Sequence, residues 1–271
     1  MSRHCARFAA TLSLCFTTSA WCQATDWLEL FRQLVNREPS IQDAARERAF
    51  RVLIPKLQTE GRAELAMDVA AIAAAFRDAN EEIRLQASGL LGGLALARLD
   101  GTEALASAVP LWLSQFDDQN RRVRENAVRA IATLQPRVPA EALSDLLRVV
   151  HKDDPMVVRA AIGGLARLAA SSPEAVRELS DLASSGQPVE TRRAVMQAIG
   201  YYRAVNPELI AKIGETLMED NRDLVMEAIG AASRIGAAAT PLKPALQRVA
   251  ASSADRDLSF QAAAAVERLG K

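Results

Sequence analysis

Histidine and aromatic side chains are scarce in this chain of 271 residues: it has two histidines, and Phe, Trp and Tyr together make up 4%. With only His4 and His151 to draw on, a histidine metal cluster is excluded by counting. The three cysteines, Cys5, Cys15 and Cys22, all fall within the first two dozen residues, so the remainder has no disulfide, thiol nucleophile or thiolate ligand. Net charge is lacking too: 33 basic residues balance 33 acidic ones, which removes the basic footprint of a nucleic-acid binder. There is no G-x-S-x-G elbow, no phosphate-cradling glycine loop and no H-E-x-x-H pair, and His151 has no serine, lysine or acid at an interpretable catalytic spacing. A non-enzymatic protein without cofactor or metal is therefore expected.

What is present is a chain 49% hydrophobic, rich in Ala, Leu and Arg, a composition that favours helices. Residues 1–24 have the layout of a signal peptide: basic Arg3, His4 and Arg7, an apolar run from Phe8 to about Phe16, then Cys22-Gln23-Ala24 before a cut after Ala24. Removal of that leader leaves one histidine, no cysteine and a net charge of minus two. No later stretch approaches the roughly 18 apolar residues of a membrane helix, so a soluble periplasmic or secreted product without a membrane span is expected.

The rest of the chain repeats. Six segments share one pattern: Asn80 to Leu94, Asn120 to Leu134, Asp154 to Leu168, Pro188 to Tyr202, Asn221 to Ile235 and Asp255 to Leu269, with starts 40, 34, 34, 33 and 34 residues apart. Each opens on a capping or turn residue and places apolar or small residues at positions 4, 8, 11, 12 and 15. At 100° per residue those positions share one helix face. Pro139, Pro173, Pro207 and Pro241 mark the same period, 34 residues apart, and proline is favoured in the first turn of a helix. Each unit is thus a proline-started helix followed by a second helix, and stacked helix pairs make an all-α solenoid.

The run D-P-M-V-V-R-A-A-I-G-G-L-A-R-L at Asp154 to Leu168 resembles the second helix of a HEAT repeat, in particular the short bacterial kind found in phycobilisome-lyase-like proteins. The resemblance covers about residues 62–271 and implies a right-handed superhelix of six to seven helix pairs. Residues 25–60 then form an N-terminal cap with a degenerate repeat near Ile41 to Leu53, and 61–271 the solenoid. Asp26-Trp27-Leu28-Glu29 reads as a capping box opening the cap helix.

The resemblance implies that the second helices line the concave wall. Opposite their core stripe, position 6 carries Leu85, Glu125, Arg159, Arg193, Met226 and Phe260; position 10 carries Arg129 between glycines and alanines. Two readings stay open: a groove for a partner, or a solvated face whose small residues only let helices crowd. Tyr201 is either a binding anchor or buried, while Tyr202 occupies a core position. At position 5, Arg84, Arg124 and Arg192 fit a structural ladder to acidic residues of neighbouring units. The long first interval puts an insertion at Ala95 to Thr102, where Trp112, Arg121 and Arg122 are candidate neighbours of a site or simply flank a solvated loop. The leading expectation is a non-enzymatic scaffold of the bacterial cell envelope that holds a protein or peptide partner on its concave face. The alternative is a lyase-like or other enzyme with a site near 95–124.

Overall fold

The computed structural model describes residues 26–48, 62–96, 108–134 and 138–270, so the leader, most of the 95–102 insertion and part of the degenerate repeat lie outside the described residues. Helix starts follow from side-chain oxygens that capture first-turn N–H groups. Asn120 accepts from Arg122 N, Asp154 from Met156 N, Asn206 from Glu208 N, Asn221 from Leu224 N and Asp255 from both Asp257 N and Leu258 N, all at 2.9–3.1 Å.

The cap comprises α1 (Trp27–Leu34) and α2 (Pro39–Arg48). Asp26 accepts from Glu29 N at 3.0 Å, and Trp27, Leu30 and Phe31 are buried. Helix pairs follow: α3 (Arg62–Ala74) with α4 (Glu81–Leu96), α5 (Val109–Ser114) with α6 (Arg121–Thr133), and α7 (Leu143–Lys152) with α8 (Pro155–Leu168). Then come α9 (Pro173–Leu182) with α10 (Val189–Tyr202), α11 (Pro207–Thr216) with α12 (Arg222–Ile235), and α13 (Lys243–Ser252) with α14 (Arg256–Leu269). Pro173 and Pro207 open their helices directly. Pro139 and Pro241 open no α-helix directly: Pro139 precedes the 3-10 turn Ala140–Ala142 that leads into α7, and Pro241 lies within the 3-10 segment Gly236–Leu242 that leads into α13.

Second helices pack side by side in the order α4, α6, α8, α10, α12, α14, and first helices α7, α9 and α11 form the other row. Val123, Ala127, Ile131, Val157, Ala161, Val195 and Ile199 are fully buried between the rows, as are the position-9 residues Val128, Ile162 and Met196 between neighbouring units. Among the described residues every regular element is a helix, and the core is one continuous apolar cluster from cap to last repeat. The fold is an α-solenoid.

Ion pairs tie unit to unit. Arg84 Nε meets Asp118 at 2.7 Å, Arg124 Nη2 meets Asp153 at 2.7 Å, and buried Arg192 pairs with Glu219. Arg84 and Arg124 also donate to carbonyls of the turns before their own helices, Asp78 and Ala79 for one, Asp118 and Gln119 for the other. These carboxylate hydrogen bonds hold both guanidinium pKa values above their ordinary range. A second set joins the helix starts, Arg121 to Asp154 at 3.5 Å and Arg222 to Asp255 at 2.6 Å. In the segment Asp154 to Leu168 repeat position 5 is Val158, and among the described residues the α8–α10 joint has neither link. The polar contact there is His151 Nε2 to Glu178 Oε1, 3.1 Å apart, between α7 and α9.

Candidate functional site

Small residues on the second helices decide how closely the helices cross. A Cβ on Gly200 of α10 would stand 2.7 Å from the Ala231 Cα of α12, and one on Gly163 of α8 would meet the Tyr202 ring at 3.2 Å. The crowding reading of these glycines is therefore realised at both positions. A groove of about 570 Å³ nevertheless runs across four second helices. Its walls are Glu125 and Arg129 of α6, Met156, Arg159 and Gly163 of α8, Ala194, Gln197, Ala198, Tyr201 and Tyr202 of α10, and Glu227 and Arg234 of α12.

Tyr202 is half-buried in the floor, and burial pushes its phenol pKa up. Tyr201 stands at 86° to it with ring centroids 4.9 Å apart, and is 71% exposed. Arg167 lies over the Tyr202 ring at 5.8 Å while donating to Ala132 O and Leu134 O at 2.8 and 2.7 Å, which satisfies carbonyls at the end of α6. The groove's acids are already engaged. Glu125 pairs with Arg129 one turn on, and Glu227 accepts from Gln197 at 2.7 Å and lies 3.6 Å from Arg193. Glu190, then Glu227, raises the Arg193 pKa above its ordinary value.

The structure thus brings together Arg129, Arg159 and Tyr201 in the groove walls, with Arg193 just behind them on Glu190 and Glu227. It separates the others. Leu85, expected on the open face, is only 6% exposed, in a helix against which both α1 and α3 pack, and is not part of this groove. Met226 is half-buried against the core. Phe260 is 70% exposed on the last helix, away from the groove. Trp112, expected beside an insertion site, is fully buried core, so it is not a surface anchor. Arg121 is exposed and held by Asp154, and Arg122 is exposed on the same turn. The 97–107 segment that would complete that candidate site lies outside the described residues.

Glu227, Arg234 and Met156 belong to the groove but not to the stripe read from the sequence, whereas Gln197 lies on it at position 10. That stripe took one face of every helix alike. The groove follows that stripe on α6, where Glu125 and Arg129 hold positions 6 and 10, and leaves it on α12, where Glu227 and Arg234 hold positions 7 and 14, so the contributing positions move around the helix from unit to unit. Position 14, which supplies both Tyr201 and Arg234, is the recurrent signal that could have been found.

Residues 109–200 match the family model of HEAT repeats. No curated protein matches the chain. Among solved structures, an engineered protein is similar with a TM-score of 0.50 and 17% identity, over 90% of this chain and 68% of its own. A designed armadillo repeat protein has a TM-score of 0.44 and 19% identity, over 90% of this chain and 99% of its own. The CpcE and CpcF complex of phycocyanin lyase from Nostoc sp. has a TM-score of 0.49 and 20% identity, over 75% of this chain and 77% of that one. At such identities the likeness is one of fold. Among the described residues no helix is long and apolar enough to cross a membrane, and no group of three metal-binding side chains occurs.

Proposed function

We propose, from the premise that the chain is a HEAT-repeat solenoid, that it is a non-enzymatic scaffold whose second-helix groove holds a protein or peptide partner. The observation that carries this reading is the groove itself: it spans four consecutive second helices and combines exposed Tyr201 and Met156 with charged walls on a closely packed core. Aromatic and arginine anchors on a rigid support are what a partner segment needs, because little ordering entropy is lost on the scaffold side. The place of action in this reading is the bacterial cell envelope or the exterior, on the strength of the leader pattern in residues 1–24.

Site-specific photo-crosslinking tests it. A benzophenone amino acid at position 201, in the groove, is expected to trap a discrete partner in cells, whereas the same probe at Arg177, exposed on α9 in the other helix row, is not. Trapping at 177 but not at 201 overturns the assignment. Cell fractionation reads the location, and a product retained in the cytoplasm with residues 1–24 intact overturns that part.

A further inference from the structure

The chemistry of the partner segment follows from which groove charges are already spent. Arg129 is held by Glu125, and Gln197 and Arg193 are held by Glu227. Two groove cations are left over. Arg159 and Arg234 are both exposed, and neither has a hydrogen bond or ion pair to the described residues. Arg234 is nonetheless placed: its Nη1 lies against Gly200 and Gly230, 3.2 and 3.5 Å from where a Cβ would stand, so the glycines let the guanidinium lie flat at the α10–α12 seam. No groove carboxylate is left to balance the pair.

We infer that the groove takes an extended acidic peptide, held at two points by Arg159 and Arg234 with an apolar side chain between them on Ala198 and Tyr201. The inference rests on the groove being the binding face. Its spacing comes from helix geometry. Arg159 is the fifth residue of α8 and Arg234 the thirteenth of α12, an offset of eight residues or about 12 Å along the axes. Across the axes the heads are separated by one and a half to two helix spacings of about 9 Å each. The diagonal is about 20 Å, the reach of about six residues of extended chain. The path between runs over Ala194 and Ala198, whose small side chains leave room for a ligand side chain, and ends at the exposed face of Tyr201. Carboxylate–guanidinium pairs at both ends would fix register, and the middle contact would bury apolar surface.

Fluorescence anisotropy on the full chain tests this, with labelled synthetic peptides of one length in a Gly/Ser background. One peptide carries two glutamates six residues apart with a leucine between them; in the others the glutamates are changed to glutamine or to lysine, or brought two residues apart. The six-spaced acidic peptide is expected to bind at least about tenfold more tightly than each of the others, with a strong salt dependence. Arg159→Glu and Arg234→Glu should each lose about tenfold, and the double reversal should prefer the lysine peptide. Both positions are exposed and have no partner among the described residues, so the variants should keep wild-type helical content, which far-UV circular dichroism checks. Equal binding of the glutamine peptide, no dependence on spacing, failure of the charge swap, or no binding of the panel overturns the acidic two-point inference. The groove reading falls separately, by loss of crosslinking at position 201.

Discussion

Alanine at Gly200 should weaken the solenoid although alanine is the better helix former. The methyl would be built 2.7 Å from the Ala231 Cα and 3.2 Å from its Cβ. The nearer atom is backbone of a neighbouring helix, so no rotamer change relieves the contact and α10 and α12 must move apart. Overpacking of this kind costs about 1–3 kcal/mol, and a rigid obstacle puts it at the upper end. Against it stands a gain in helix propensity of about 1 kcal/mol, which leaves a net loss of about 2 kcal/mol. Gly93 is the internal control: nothing lies within 4 Å of its added Cβ, so Gly93→Ala should gain about 1 kcal/mol from the same propensity. Urea unfolding followed by far-UV circular dichroism measures both, with a nearest-neighbour fit because repeat arrays do not always unfold in one step. A Gly200→Ala protein as stable as the wild type would refute the helix-crossing argument, as would a Gly93→Ala protein that is weaker.

Arg124→Ala should cost about 2 kcal/mol, since it strands a carboxylate, Asp153, that is 11% exposed, and frees two turn carbonyls; faster hydrogen exchange in α7 and the start of α8 reads it, and unchanged protection there counts against the ladder. Asp255 is held below its ordinary pKa of 3.8, first by Arg222 and then by the Leu258 and Asp257 amides. A depressed carboxylate contributes stability above its unfolded pKa and loses it as pH falls through the folded one, so Asp255→Asn should be weaker than wild type near neutrality, with the difference vanishing in an acid titration once the pH is below the lowered pKa of Asp255. A difference that persists there contradicts the linkage. Trp112→Ala should cost about 3–5 kcal/mol in a thermal melt, as a core truncation does, and a near-neutral result would return Trp112 to the surface.

Most of the scaffold could be read from local chemistry. Asn120, Asp154, Asn221 and Asp255 announce helix starts, because the side-chain oxygen that caps a helix acts within three residues of it. The position-5 arginines were readable for a related reason: one period later an acid recurs near a fixed place, so Arg84 finds Asp118 and Arg124 finds Asp153. Side-chain exposure was less readable. Leu85 and Phe260 occupy the same repeat position, yet α1 and α3 pack against the helix of the first while the second lies on the last helix of the described chain. Repeat position fixes the angle around a helix, whereas burial depends on what lies one unit away. Arg234 escaped the sequence reading because its role depends on glycines of two different helices that leave space for it.

The missing arginine at Val158 has a mechanical consequence. Neighbouring joints are stitched at their edges by arginine–carboxylate pairs, whereas the seam between α8 and α10 has packing, the Arg167–Tyr202 contact and the His151–Glu178 contact, and it is this seam that the groove straddles. Of the three joints the groove crosses, this one therefore has the fewest arginine–carboxylate pairs to oppose sliding of one helix past the next. An occupant lying across it would act as a removable stitch, adding there the charge contacts that the neighbouring joints already have.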